Sequence, residues 1–130
     1  MKLHYTQEKY EYWAEFNLVS FKRKLENETA FDGIVKIYSL KTGNEDLNQK
    51  LNGHFFGNFI YPTEDGVFLR MFDNKDSWPK TSLIYLNLKS FSMEYLNHNN
   101  SSWNVWVGNK LENGFYSIEI SPNEVFKFRP

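Results

Sequence analysis

Apolar and polar positions alternate with a period of two along much of this chain, and that period predicts short β-strands. From residue 10 to 18, YEYWAEFNL sets Tyr10, Tyr12, Ala14, Phe16 and Leu18 on one face of an extended segment, against Glu11, Trp13, Glu15 and Asn17. A helix over residues 7–25 is the competing assignment. Tyr10, Trp13, Ala14, Leu18, Phe21 and Leu25 fall on one helical stripe, with acidic residues early and Lys22, Arg23 and Lys24 late, as the helix dipole prefers. β-Formers dominate the window, which favours the strand. Asp32-Gly33 then opens a β-rich run over 34–40 that stops at Lys41-Thr42-Gly43.

One short helix is expected over 45–51. Asn44 is a good N-cap, Glu45 and Asp46 suit the first turn, Leu47 and Leu51 share a face, and Gly53 can terminate it. Residues 55–61 and 67–72 flank the turn composition Pro62-Thr63-Glu64-Asp65-Gly66 and predict a hairpin. A polar loop, DNKDSWPK, covers 73–80. The run over 82–96 alternates with a slip near Lys89-Ser90, which predicts two strands or one bulged strand. A second helix over 80–97, through Ile84, Leu88, Phe91 and Tyr95, stays open as the alternative.

In the tail, Trp103, Val105 and Val107 alternate with Asn104 and Trp106, and Tyr116, Ile118 and Ile120 alternate with Phe115, Ser117 and Glu119. Residues directly opposed in an antiparallel pair point to the same face. If Trp103, Val105 and Val107 join Tyr116, Ile118 and Ile120 in the core, Trp106 must lie outward with Phe115. Across Ser121-Pro122-Asn123-Glu124 the same rule turns Phe126 and Phe128 inward and Lys127 and Arg129 outward. The expected outer face is therefore Asn104, Trp106, Phe115, Ser117, Glu119, Lys127 and Arg129.

Composition sharpens the fold class. The chain has 12 Phe, 8 Tyr and 4 Trp, 24 aromatics in 130 residues, and Ala14 and Ala30 are its two alanines. Such a chain is short of the best helix former and rich in side chains that fit a pleated, half-buried surface. With no repeat or linker dividing it, residues 1–130 are expected to form one mainly β domain. The architecture predicted is a small antiparallel β-sandwich or partly open barrel with one short helix. There is no cysteine, which excludes disulfides and thiol chemistry and fits a reducing compartment. No signal-like apolar run is present, so a cytoplasmic location without membrane insertion is expected. A net charge of −1 supplies no long-range field, which argues against nucleic acid as a partner.

Candidate chemistry is sparse. Arg70, between Phe68 and Phe72, needs a partner, and a structural ion pair or a snorkelling edge position is favoured over anion binding because no glycine-rich loop accompanies it. His4, His54 and His98 lie in no metal spacing and read as ordinary surface or loop residues. Asp73, Asn74 and Asp76 lack the glycine and the closing glutamate of a calcium loop and read as a solvated turn. Glu94, Glu112 and Glu119 could supply a carboxylate pair only if folding joined them. The expectation is thus a protein-binding module without catalysis, metal or cofactor. Trp106, Phe115, Glu119, Lys127 and Arg129 would form its patch, with Glu64, Asp65, Asp73, Asp76 and Trp78 available on nearby loops. An inhibitor or immunity-type protein occluding a toxin enzyme is the concrete form of that reading. A β-barrel binding a carbohydrate, lipid or nucleobase is the alternative, and a small hydrolase the third. Oligomeric state is left open.

Overall fold

A computed structural model describes residues 9–28, 35–100, 103 and 105–130. Its elements are β1 (Glu11–Phe16), β2 (Val19–Glu28), β3 (Lys36–Thr42), the helix α1 (Glu45–Leu51), β4 (Phe55–Pro62), β5 (Gly66–Phe72), β6 (Thr81–Asn87) and β7 (Met93–Asn99). The tail adds β8 (Val107–Lys110), β9 (Tyr116–Ser121) and β10 (Glu124–Phe128). Strands β1 to β7 pair in sequence order as one antiparallel sheet, and β10-β9-β8 form a second. The fold is mainly β, a small sandwich with one short helix and not a closed barrel. No described helix is long and apolar enough to cross a membrane.

The two windows that allowed a helix are both hairpins. In the first, Asn17 and Leu18 adopt φ of 52° and 64°, and Phe16 pairs with Val19 across this tight turn. Positive φ at both central residues matches the right-handed twist of the flanking strands. In the second, β6 and β7 are joined at the Lys89-Ser90 slip, where the Asn87 side chain accepts hydrogen bonds from the Lys89 and Ser90 backbone N–H groups. The first hairpin corrects the expected facing of residues 10–18. A bulge between Tyr12 and Ala14 shifts the alternation, so Trp13 and Phe16 pack on the core while Tyr12 is 66% exposed. Leu18, at the turn, is 96% exposed.

The helix forms where its caps predict it. The Asn44 side chain accepts from Leu47 N at 3.0 Å, a contact worth about 1 kcal/mol. Leu47 and Leu51 are fully buried. Asn48 ties the helix to the end of β3 by accepting from the Thr42 backbone N–H and hydroxyl and donating to its carbonyl.

The fully buried strand β5 separates two packed layers. Val67, Leu69 and Met71 face a core shared with Leu47, Leu51, Phe21 and Phe56, onto which Phe16 and Val19 from the first strands and Met93 from the last also pack. The long sheet therefore curls around that side. Phe68 faces the other way, with Leu83 and Tyr85, and is covered by Tyr116, Ile118 and Ile120 of the three-stranded sheet. Aromatic edges meet faces through this second core, with ring centroids 5.1 Å apart for Phe68 and Tyr85 and 5.6 Å for Phe59 and Trp106.

Tyr85 gives this core a pH signature. Its hydroxyl shares a 2.7 Å hydrogen bond with Thr63 Oγ1, and burial pushes its pKa above the ordinary tyrosine value. The folded state therefore holds the phenol proton more tightly than the unfolded chain does. That contribution is fully present below pH of about 10 and is lost as pH rises through the raised folded value. Urea unfolding at pH 8 and pH 11 is expected to show an alkaline loss of stability that is smaller in Tyr85→Phe. An equal loss in both proteins would show that Tyr85 is not a source of it.

Candidate functional site

The three-stranded sheet has one face on the second core and one face open. In β9 and β10, Glu119 opposes Val125, Ile118 opposes Phe126, Ser117 opposes Lys127 and Tyr116 opposes Phe128. Tyr116, Ile118 and Ile120 are buried, and Phe126 and Phe128 pack beside them. Glu119, Lys127 and Arg129 lie outward and exposed, as alternation predicts. Phe115 is 40% exposed, with the Arg129 guanidinium 5.9 Å from its ring centroid.

Strand β8 reverses the expected register. Val107 opposes Glu119, Gly108 opposes Ile118, Asn109 opposes Ser117 and Lys110 opposes Tyr116. Val107 is therefore outward, and Trp103 and Val105 are exposed as well. Trp106, expected outward, is only 5% exposed and belongs to the second core. Two causes produce the flip, one in the turn and one across the core. Leu111 N donates to Phe115 O, so the connection holds three residues, Glu112, Asn113 and Gly114, where a two-residue turn would have kept the other parity. Asn113 and Gly114 adopt φ of 59° and 78°, conformations that Asn and Gly tolerate best. On the inner face, Gly108 leaves room for the ring of Tyr61, which any Cβ there would overlap.

The open face is then a grid of three rows. Val107, Glu119 and Val125 form the first, and Asn109, Ser117 and Lys127 the second, where Ser117 is itself buried by its neighbours. Leu111, Phe115 and Arg129 form the third. The open face thus carries two apolar spots: Leu111 and Phe115 lie beside Arg129 at one end, and Val107 and Val125 flank Glu119 at the other, with the polar row of Asn109, Ser117 and Lys127 between them. Sequence reasoning missed Val107, Val125 and Leu111. The Asn113-Gly114 pair was the signal that could have drawn attention to this hairpin.

The remaining candidates divide between the two ends of β5. Glu64 and Asp65 lie in the turn before it and line a cleft with Arg129 and Gly114, which places them beside the Phe115 end of the open face. Asp65 also pairs with Lys89 at 2.8 Å. Asp73, Asp76 and Trp78 follow the other end of β5, roughly 20 Å away at about 3.4 Å per residue. Asp73 pairs with His98 Nε2 at 3.2 Å, and Asp76 accepts from Asn27 at 3.2 Å. Trp78 is half-buried against Phe72 and the Arg70 guanidinium. Folding does not gather these four acidic residues into one surface.

The Asp73–Asp76 segment is a self-bonded turn, with Asn74 Oδ1 accepting from Asp76 N and Ser77 Oγ donating to Asn74 O. Among the described residues no three His, Asp or Glu side chains gather as a metal-binding group. His98 and Asp73 are both exposed, and His4 and Asn104 lie outside the described residues. Comparison of the chain with protein-family models, with curated proteins and with solved structures finds no match in any of the three.

Proposed function

We propose that this chain is a non-catalytic protein-binding module that docks its partner on the open face of the three-stranded sheet. The observation that carries this reading is the exposure of four apolar side chains, Val107, Val125, Leu111 and Phe115, on one face, interspersed with Glu119, Lys127 and Arg129. Exposed apolar side chains mixed with charged ones are the composition of a protein interface, and aromatic and arginine side chains dominate the energy of such surfaces. The filled cores on both sides of β5 favour this reading over a barrel with a ligand-sized interior. The concrete form is an inhibitor or immunity-type protein, which works by occluding a partner enzyme and needs only a rigid scaffold and such a face.

A Phe115→Ala/Val125→Ala double variant tests this. Both side chains lie on the open face, so urea unfolding is expected to shift by roughly 0.5 kcal/mol or less per site, whereas partner affinity falls by about 2 kcal/mol or more. Immobilised native and variant proteins, exposed to extract of the source cell, give the readout. A protein retained by the native chain and lost by the folded variant supports the reading. Equal retention of every specific partner by both overturns the assignment of this face.

A further inference from the structure

Among the described strands, β8 is the sheet edge whose ladder runs without a register shift. The other edges are β1, β7 and β10, and the pairings that hold them, β1 with β2, β6 with β7 and β9 with β10, each carry one. A bulge blunts an edge against joining another strand, whereas an unbroken edge offers its spare main-chain groups as a template. Which groups of β8 are spare follows from the turn after it. Leu111 N donates to Phe115 O, so Leu111, Asn109 and Val107 direct their N–H and C=O groups at β9. Gly108 and Lys110, at the intervening positions, direct theirs away from it. No described residue outside the sheet bonds either of them.

We propose that β8 pairs antiparallel with β8 of a second copy of this chain about a two-fold axis at Asn109, joining two three-stranded sheets edge to edge. A two-fold pair brings a surface onto itself, so its residues must be self-complementary. The outward row Val107, Asn109 and Leu111 is: it reads apolar, amide, apolar from either end. Centred on Asn109, the pair sets Val107 against Leu111 of the second copy on both sides of two asparagine amides, which donate to and accept from each other. Val107 and Leu111 are 41% and 37% exposed in the single chain, and pairing covers part of both. The same register sets Gly108 against Lys110 of the second copy. These are the residues with spare main-chain groups, and each such pair exchanges two hydrogen bonds. Lys110, the one charge of the strand, thereby faces a glycine instead of a like charge. Edge β10 shows the contrast. The middle of its outward row Val125, Lys127 and Arg129 is a lysine, so the same symmetry would oppose two cations.

Sedimentation equilibrium of the native protein, over about a thousandfold range of concentration reaching the millimolar, tests the assembly. The fitted mass is expected to rise from 15.5 kDa towards twice that value, at high concentration because the paired segment is short. Lys110→Pro removes an N–H that points to the free edge and no bond within the sheet, so the variant should fold while self-association falls about tenfold or more. Asn109→Asp and Asn109→Lys each place like charges together at the axis, and each alone should weaken self-association roughly threefold or more. An equal mixture of the two should recover it, because aspartate then faces lysine. That recovery belongs to the register centred on Asn109, since in any other register the two replaced side chains do not oppose each other. The Phe115→Ala/Val125→Ala variant should associate as the native protein does, which separates this edge from docking on the open face. A native protein that stays at 15.5 kDa throughout overturns the proposal. So does a folded Lys110→Pro variant that associates like the native chain, or a mixture of the charge variants that recovers nothing.

Discussion

Trp106→Ala is expected to cost about 3 to 5 kcal/mol of unfolding free energy, the range for deleting a large buried aromatic. The indole fills the space between Phe59 and the Arg70 guanidinium, with ring centroids 5.6 Å apart on one side and the cation at 4.5 Å on the other. Truncation leaves a cavity and also removes one of the three rings around a buried charge, with Phe72 and Trp78 remaining. The contrasting variant is Val107→Ala, one residue along, whose side chain lies on the open face beside Glu119. It should change stability by roughly 0.5 kcal/mol. Urea unfolding of both variants decides the register of β8. If the valine variant were the costly one, the strand would present its other parity to the core.

Gly108→Ala carries the second large effect, at the upper end of the roughly 1 to 3 kcal/mol typical of overpacking. Gly108 sits opposite Ile118 on the inner face, and a methyl group there overlaps the ring of Tyr61, including the ring carbon nearest its backbone. A ring held that close to its own main chain cannot swing aside at its tip, so either β4 or β8 must move. In compensation, Gly108→Ala combined with Tyr61→Ala should recover part of the loss, because the second truncation removes the overlapped ring. Two independent, fully additive losses would show that Tyr61 is not what demands glycine at this position.

Much of the fold was legible because the signals concerned are local. The Asn44 cap, the acidic first turn and the Leu47–Leu51 spacing specify α1 within eight residues, and the structure places the helix there. The slip at Lys89-Ser90 marked the β6–β7 connection for the same reason, since a turn interrupts alternation wherever it falls. Tyr116, Ile118, Ile120, Phe126 and Phe128 were readable as inward because one parity of β9 and β10 is clearly the more apolar.

The facing of β8 could not be read that way. Trp103, Val105 and Val107 on one parity compete with Trp106 on the other, and both sets are apolar enough to be buried. Beside the three-residue connection at Glu112, Asn113 and Gly114, the choice is made by contacts distant in sequence. Tyr61 of β4 requires a glycine across from Ile118, and Phe59 and Arg70 of β4 and β5 accept the indole of Trp106. The same distance hid the environment of Arg70. Its neighbours Phe68 and Phe72 suggested an ion pair or a snorkelling edge position, whereas the guanidinium is buried and the rings of Trp78 and Trp106 reach it only through the loop after β5 and the packing of the second sheet.

What the sequence by itself determined about this protein is the mainly β class, the one capped helix and the inward face of β9 and β10, all written in periods of a few residues, whereas strand against helix over 7–25 and 80–97 stayed open. The tertiary structure decided which face of β8 is buried, that the Arg70 cation lies among three rings, and that the exposed apolar residues of the open sheet are Val107, Val125, Leu111 and Phe115. The physical reason is that alternation states only that two faces differ. Which of them meets the core is set by the volumes of the side chains already waiting on the other sheet.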